Sequence, residues 1–169
     1  MRHTISATWN CVSIPRHQWV SVDMTLTEQG LDIDLESPFY GDPRPPGPAG
    51  PTDELWMFEV VEIFVSGEAD RYLEVELSPH GHYLVLLLNG RRNIEKRLLP
   101  LDYGAAIAGS RWRGHAFVPA SYLPCGALRG NVYAIHGAGD RRTYLARYPL
   151  GGDSPDFHRL EDFGPLFGA

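Results

Sequence analysis

Residues 72–88 place the tightest limit on the fold. They hold two apolar runs, YLEVEL and HYLVLLL, separated by Ser78-Pro79-His80-Gly81. Each run has the length of a strand, carries a tyrosine and a valine among its leucines, and adjoins turn residues. A four-residue link with proline and glycine lets the chain reverse but leaves no room for a crossover helix, so the two runs must pair antiparallel. Residues 55–65 (LWMFEVVEIFV) precede them as a third apolar run, read as one strand. The block is therefore an antiparallel meander.

The same pattern recurs along the chain. Residues 19–27 alternate apolar and polar side chains, and residues 31–35 do so again after Gln29-Gly30, which predicts a hairpin. Short strands are expected at 97–99, 112–118, 131–136 and 143–148, with a turn, at most one helical turn, at 119–124. Residues 38–52 carry six prolines and read as a long loop, because proline removes ladder donors. The tail, 156–167, holds Phe157, Leu160, Phe163, Leu166 and Phe167 and is expected to lie across a sheet edge. No βαβ alternation is visible. The prediction is an all-β fold: a two-sheet antiparallel β-sandwich of about eight or nine strands, jelly-roll or immunoglobulin-like, forming one domain over residues 1–169.

Composition narrows the function. At 169 residues with 43% hydrophobic content, the chain can bury a sizeable core. Its net charge of −6 repels phosphate backbones, so nucleic acid is not expected as a partner. No apolar run approaches a membrane span and no signal peptide is visible, so a cytoplasmic protein without membrane contact is the default. Two cysteines, Cys11 and Cys125, make neither a disulfide framework nor a zinc pattern; they are expected to be buried or half-buried thiols, although one bridge is possible. The phosphate loop, G-x-G-x-x-G, G-x-S-x-G and H-E-x-x-H signatures are missing, and no cofactor is expected.

The chemistry-bearing residues gather on the meander. Strand parity puts Tyr72, Glu74 and Glu76 on one face, and Glu62 on a face with Phe58, Val60 and Phe64; Glu59 falls opposite. Carboxylates among apolar strand residues need partners or shift their protonation. Glu62 has two open readings, a ligand groove or a solvated face. Glu74 and Glu76 are expected on a solvated face with cross-strand arginine pairs, with Glu74 kept as a ligand-binding candidate. Calcium held by these acids is not expected, since no calcium-loop spacing is present. His80 and His82 flank Gly81; a two-histidine metal site is conceivable, and a turn histidine satisfied by backbone is the plainer expectation. His136 ends a strand near Arg141 and Arg142 and could bind a ligand or act as a base. Trp56 follows the proline loop and could stack on a sugar ring, whereas Trp9, Trp19 and Trp112 read as core.

LWMFEVVEIFV, YLEVELSPHGHYLVLLLNGRRN, AIHG followed by DRRTYLARYP, and PDFH resemble a small uncharacterised protein family whose human member is a chromosome 4 open reading frame. The likeness runs from about residue 9 to 163 and implies no activity. Tryptophan, five residues, then glutamate within V-E-I-F is also similar, more distantly, to family-nine carbohydrate-binding modules and other DOMON-like sandwiches. That similarity implies a site in which aromatic rings clamp a sugar while an acid, an arginine and an amide bond its hydroxyls. Carried over, Trp56 would be an aromatic platform, Glu62 the acid, Arg91 the arginine and Asn93 the amide, with Trp112, Tyr144 or Phe157 as the opposing ring. The expectation is a non-catalytic binding module for a small polar ligand, a sugar first of all. The alternative is an enzyme using Glu62 and His136 as acid and base, with Arg141 or Arg91 stabilising an anion. A third reading is a protein-binding scaffold.

Overall fold

A computed structural model describes residues 1–126 and 128–167. Two sheets pack face to face. The first has strand order β1-β2-β3-β10-β9: β1 (Arg2–Ile5), β2 (Val20–Leu26), β3 (Gly30–Pro38), β10 (Arg111–Pro119) and β9 (Asp102–Ala108). The second has the order β12-β11-β5-β6-β7-β4: β12 (Thr143–Ala146), β11 (Arg129–His136), β5 (Val60–Ser66), β6 (Arg71–Leu77), β7 (His82–Asn89) and β4 (Gly50–Pro51). Two short strands flank it, β8 (Ile94–Lys96) on β7 and β13 (Gly164–Pro165) on β11. Pairing is antiparallel throughout except for the two-residue contact of β4 with β7. No helix among the described residues is long and apolar enough to cross a membrane.

The all-β two-sheet expectation holds, with corrections of detail. Among the described residues thirteen strands are present rather than eight or nine. The extra ones are short or, like β9 (DYGAAIA), too poor in alternating apolar residues to announce themselves. Residues 55–65 are not one strand: Leu55–Met57 form a single 3-10 turn, and β5 begins only at Val60. The strand expected at 97–99 lies earlier, at Ile94–Lys96. Cys11 and Cys125 are unbridged and both exposed, not buried.

Alternation builds the core. Val22, Met24, Ile33, Leu35, Trp112, Ala116 and Val118 of the first sheet meet Val61, Ile63, Val65, Leu73, Val75, Leu77, Val85 and Val132 of the second, all of them buried. Each such aliphatic side chain contributes about 1.5–3 kcal/mol by leaving water. The second sheet is unusual in that its outer face is covered as well. Val60, Phe64, Tyr72, Leu84, Leu86, Leu88, Tyr133 and Ile135 point away from the first sheet and form a separate buried cluster with Leu55, Leu150, Phe157 and Phe163. The tail therefore lies over this outer face, not merely along an edge. That placement explains the near-continuous apolar reading of β5, β6 and β7: a strand buried on both faces has no solvent side to mark.

Candidate functional site

The covered outer face carries three acids. Cross-strand register sets Glu62 of β5 directly opposite Glu76 of β6, and Phe64 opposite Glu74. Tyr133 flanks Glu62 from β11, while Leu84 and Leu86 flank Glu76 and Glu74 from β7. The expectation that Glu74 and Glu76 face solvent is wrong: Glu62, Glu74 and Glu76 are 2%, 3% and 0% exposed. Strand parity identified their common face, but a turn and a tail distant in sequence cover it. Among the described residues, one oxygen each of Glu62 and Glu74 and both oxygens of Glu76 are buried without a hydrogen-bond partner.

Burial sets their protonation. Glu62 is raised well above the ordinary glutamate value, by burial first and then by Glu74 beside it, with Arg142 opposing. Glu76 is also raised, by burial and then by Glu62 and Glu74. Glu74 is pushed up to about 7 by burial, with Arg92 opposing. The cluster shares protons rather than carrying three full charges.

A cavity of about 370 Å³ opens over Glu62 and Glu74, within the size range of small-molecule sites. Trp56, Tyr144 and Phe157 supply aromatic walls, Phe64, Leu86 and Ile135 part of the apolar lining, and Arg92 and His158 polar groups. Trp56 rides on the 3-10 turn, which Arg142 fastens: its guanidinium donates to the carbonyls of Trp56, Met57 and Gly137 and sits 5.9 Å over the Tyr144 ring. Phe157 stacks on Tyr133 with centroids 3.8 Å apart and meets Tyr144 edge-on. Of the three rings weighed as partners for Trp56, Tyr144 and Phe157 line the cavity. Trp112 is excluded, being 1% exposed between the sheets.

The tail is tied down by ions. Asp156 accepts from Arg91 and from Arg92, the latter at 2.8 Å. Burial pushes the Asp156 carboxyl up, but these bonds outweigh it and hold the group at about 2. The next residue but one, His158, reaches the Tyr72 hydroxyl through Nδ1 at 2.7 Å, and that hydroxyl accepts the Arg92 backbone N–H at 3.0 Å. With the phenol donating to Nδ1, the neutral ring's own proton is assigned to Nε2, 3.9 Å from Glu74 Oε2. Burial, then Arg92, draws His158 down to about 4, so the ring is neutral at pH 7.

Several expected residues stand elsewhere. Arg91 holds Asp156 but does not line the cavity; Arg92 does. Arg92 has φ +60°, a left-handed conformation that redirects the side chain in a way no spacing motif reveals. Asn93 is exposed and donates to the Asn89 carbonyl, closing the β7–β8 turn rather than reaching a ligand. Arg141 is exposed; its neighbour Arg142 is the residue that braces the site. His80 lies at the β6–β7 turn, edge-on to Phe39, outside the cavity lining. His136 falls on the opposite face of the sheet from Tyr133 and Ile135, stacked 3.5 Å from Tyr40, and burial lowers it to about 4. Glu62 and His136 therefore do not share a cavity, and an acid–base pair made of these two is not assembled. His158, Tyr72 and Arg142 escaped the sequence reading. Each lies in a segment that carries the family resemblance, Tyr72 in YLEVEL, Arg142 in DRRTYLARYP and His158 in PDFH, but no motif gave any of them a role in the site.

No protein-family model matches the chain. Individual relatives are clear. The "UPF0462 protein C4orf33 homolog" of Mus musculus is 45% identical, with 98% of this chain and 91% of the mouse protein covered. The human "UPF0462 protein C4orf33" is 41% identical over 96% of this chain and 86% of its own, and the Danio rerio homolog 44% over 94% and 85%. The chain belongs to the UPF0462 family. Among solved structures, a "putative carbohydrate-binding protein" from Bacteroides uniformis matches the fold with a TM-score of 0.73 and 19% identity, covering 97% of this chain and 84% of that one. At that identity the likeness speaks for the β architecture of this UPF0462 member.

Proposed function

We propose that this protein is a single-domain, non-catalytic binding module for a small polar ligand, and that the ligand is a carbohydrate. One observation carries the reading: three aromatic rings and two buried carboxyls with unpartnered oxygens line the same cavity. A sugar ring has that mixed character. Its C–H faces pack on Trp56, Tyr144 or Phe157, and its hydroxyls offer protons to Glu62 and Glu74 or accept them, as the shared protonation of the acids allows. Arg92 supplies a further donor at the cavity. The fold-level likeness to a protein named for carbohydrate binding supports the same reading.

Isothermal calorimetry against a panel of mono- and oligosaccharides tests it. A saturable heat is expected, weakened at least about tenfold, or ~1.4 kcal/mol, in Trp56→Ala. No heat from any saccharide, or an unchanged affinity in Trp56→Ala, would sink the proposal.

A further inference from the structure

The acids of the cavity outnumber the cations able to serve them. The guanidinium of Arg92 is bonded to Asp156, whose other oxygen takes Arg91. That of Arg142 is bonded to three backbone carbonyls. The His158 ring is engaged by Tyr72 and is neutral. Asp53, which raises Glu76 from outside the cluster, adds negative rather than positive charge. Glu62 Oε1 and Glu74 Oε2 remain buried and unpartnered beside the hollow.

Two features indicate what would complete this arrangement. The rings of Trp56, Tyr144 and Phe157 wall the cavity, and an aromatic face attracts a cation most strongly where water is excluded. The two acids on neighbouring strands offer several acceptor atoms and no obligatory donor once ionised. A primary ammonium has three N–H donors that diverge, enough to serve both carboxyls at once. A metal ion needs a converging coordination sphere, and no group of three or more His, Cys, Asp or Glu side chains among the described residues is arranged to hold one.

We infer that the ligand presents a primary ammonium group to Glu62 and Glu74 beneath the aromatic rings, so that within the carbohydrate reading, on which this rests, the ligand class is an amino sugar with an unacylated amine. A neutral hexose leaves the acids sharing protons, whereas a cation between them favours their ionised form and gains the charge-assisted bonds. An N-acetyl group would replace three charged donors by one neutral N–H.

The test is calorimetry on the full chain at pH 7 with matched sets: glucosamine, glucose and N-acetylglucosamine, then the galactose series. Each free hexosamine is expected to bind at least tenfold tighter than its parent hexose and its N-acetyl form. In Glu62→Gln and Glu74→Gln the ratio of hexosamine to hexose affinity is expected to fall toward one. Should either variant fail to fold, the wild-type ratio decides alone. Parent hexoses that bind as tightly as the amines would overturn this inference and leave the carbohydrate reading standing. Silence from amines and hexoses alike would overturn both.

Discussion

The outer faces of the two sheets both carry acids, and those acids have opposite fates. On the first sheet, Asp23, Asp34 and Glu36 project outward, and each has its own basic partner: Arg2 on Asp23, His115 on Asp34, Arg111 and Arg113 on Glu36. A groove of about 690 Å³ runs among them, larger than the aromatic cavity. Yet Arg113 is 79% exposed and Asp34 69%, and water already serves such groups, so these pairs are worth little. On the second sheet, Glu62, Glu74 and Glu76 are covered and unmatched. An acid on a strand face is therefore uninformative until its cover is known. The smaller hollow is the better candidate because its polar groups have been taken out of water without being satisfied there.

The contrast has measurable consequences, the largest in pH. A glutamate raised on folding binds a proton that the unfolded chain has already released. Its contribution therefore weakens as pH rises from about the unfolded value of 4.5 toward the folded one. For Glu74 that window ends near pH 7. Glu62, Glu76 and Glu59 act in the same sense. His136 and His158, lowered on folding, act in the opposite sense between about 4 and 6.5, so the whole-protein curve is a partial cancellation. A single substitution isolates the term. The stability of Glu74→Gln relative to wild type should climb by up to about 1.4 kcal/mol per pH unit between pH 5 and 7, read by urea unfolding at each pH. A flat difference would mean that Glu74 is ionised in the folded protein and the comparison between faces is misdrawn.

Next in size is Glu76→Leu. It removes a buried carboxyl with both oxygens unpartnered and fills the space with apolar atoms, so at pH 7 it should stabilise the protein by about 1–3 kcal/mol. Destabilisation in the same unfolding assay would reveal that Glu76 has a partner, such as an ordered water. Smallest is Glu36→Gln on the first sheet. Its pairs with Arg111 and Arg113 stay open to water, and the expected loss is under about 1 kcal/mol with saccharide affinity untouched. A larger loss, or a change in binding, would move attention to the groove of the first sheet.

The fold was largely legible because alternation survives in β2, β3 and β10, where one face is wet. It was least legible where that rule lapses. In β5 both faces are dry, and Trp56 looked like the start of a strand when it belongs to a turn. The central pair of the site, Trp56 and Glu62, could be named because five intervening residues span one turn and the entry of one strand. Its arginine could not. The side chain that lines the cavity depends on a left-handed residue at 92, and spacing alone chose the neighbour at 91. The tail was seen as apolar but not as a wall of the site, since Pro155, Phe157 and His158 come from far along the chain. Burial of Glu74 and Glu76 was missed for the same reason.

That distant wall carries a consequence for the order in which the molecule matures. Glu62, Glu74 and Glu76 leave the ribosome long before Pro155, Phe157 and His158, the segment that Asp156 anchors to Arg91 and Arg92. Until that segment is made, the hollow over Glu62 and Glu74 lacks one of its walls. The candidate cavity therefore cannot be complete before residues 155–158 are in place, and the two acids keep access to water until that wall arrives.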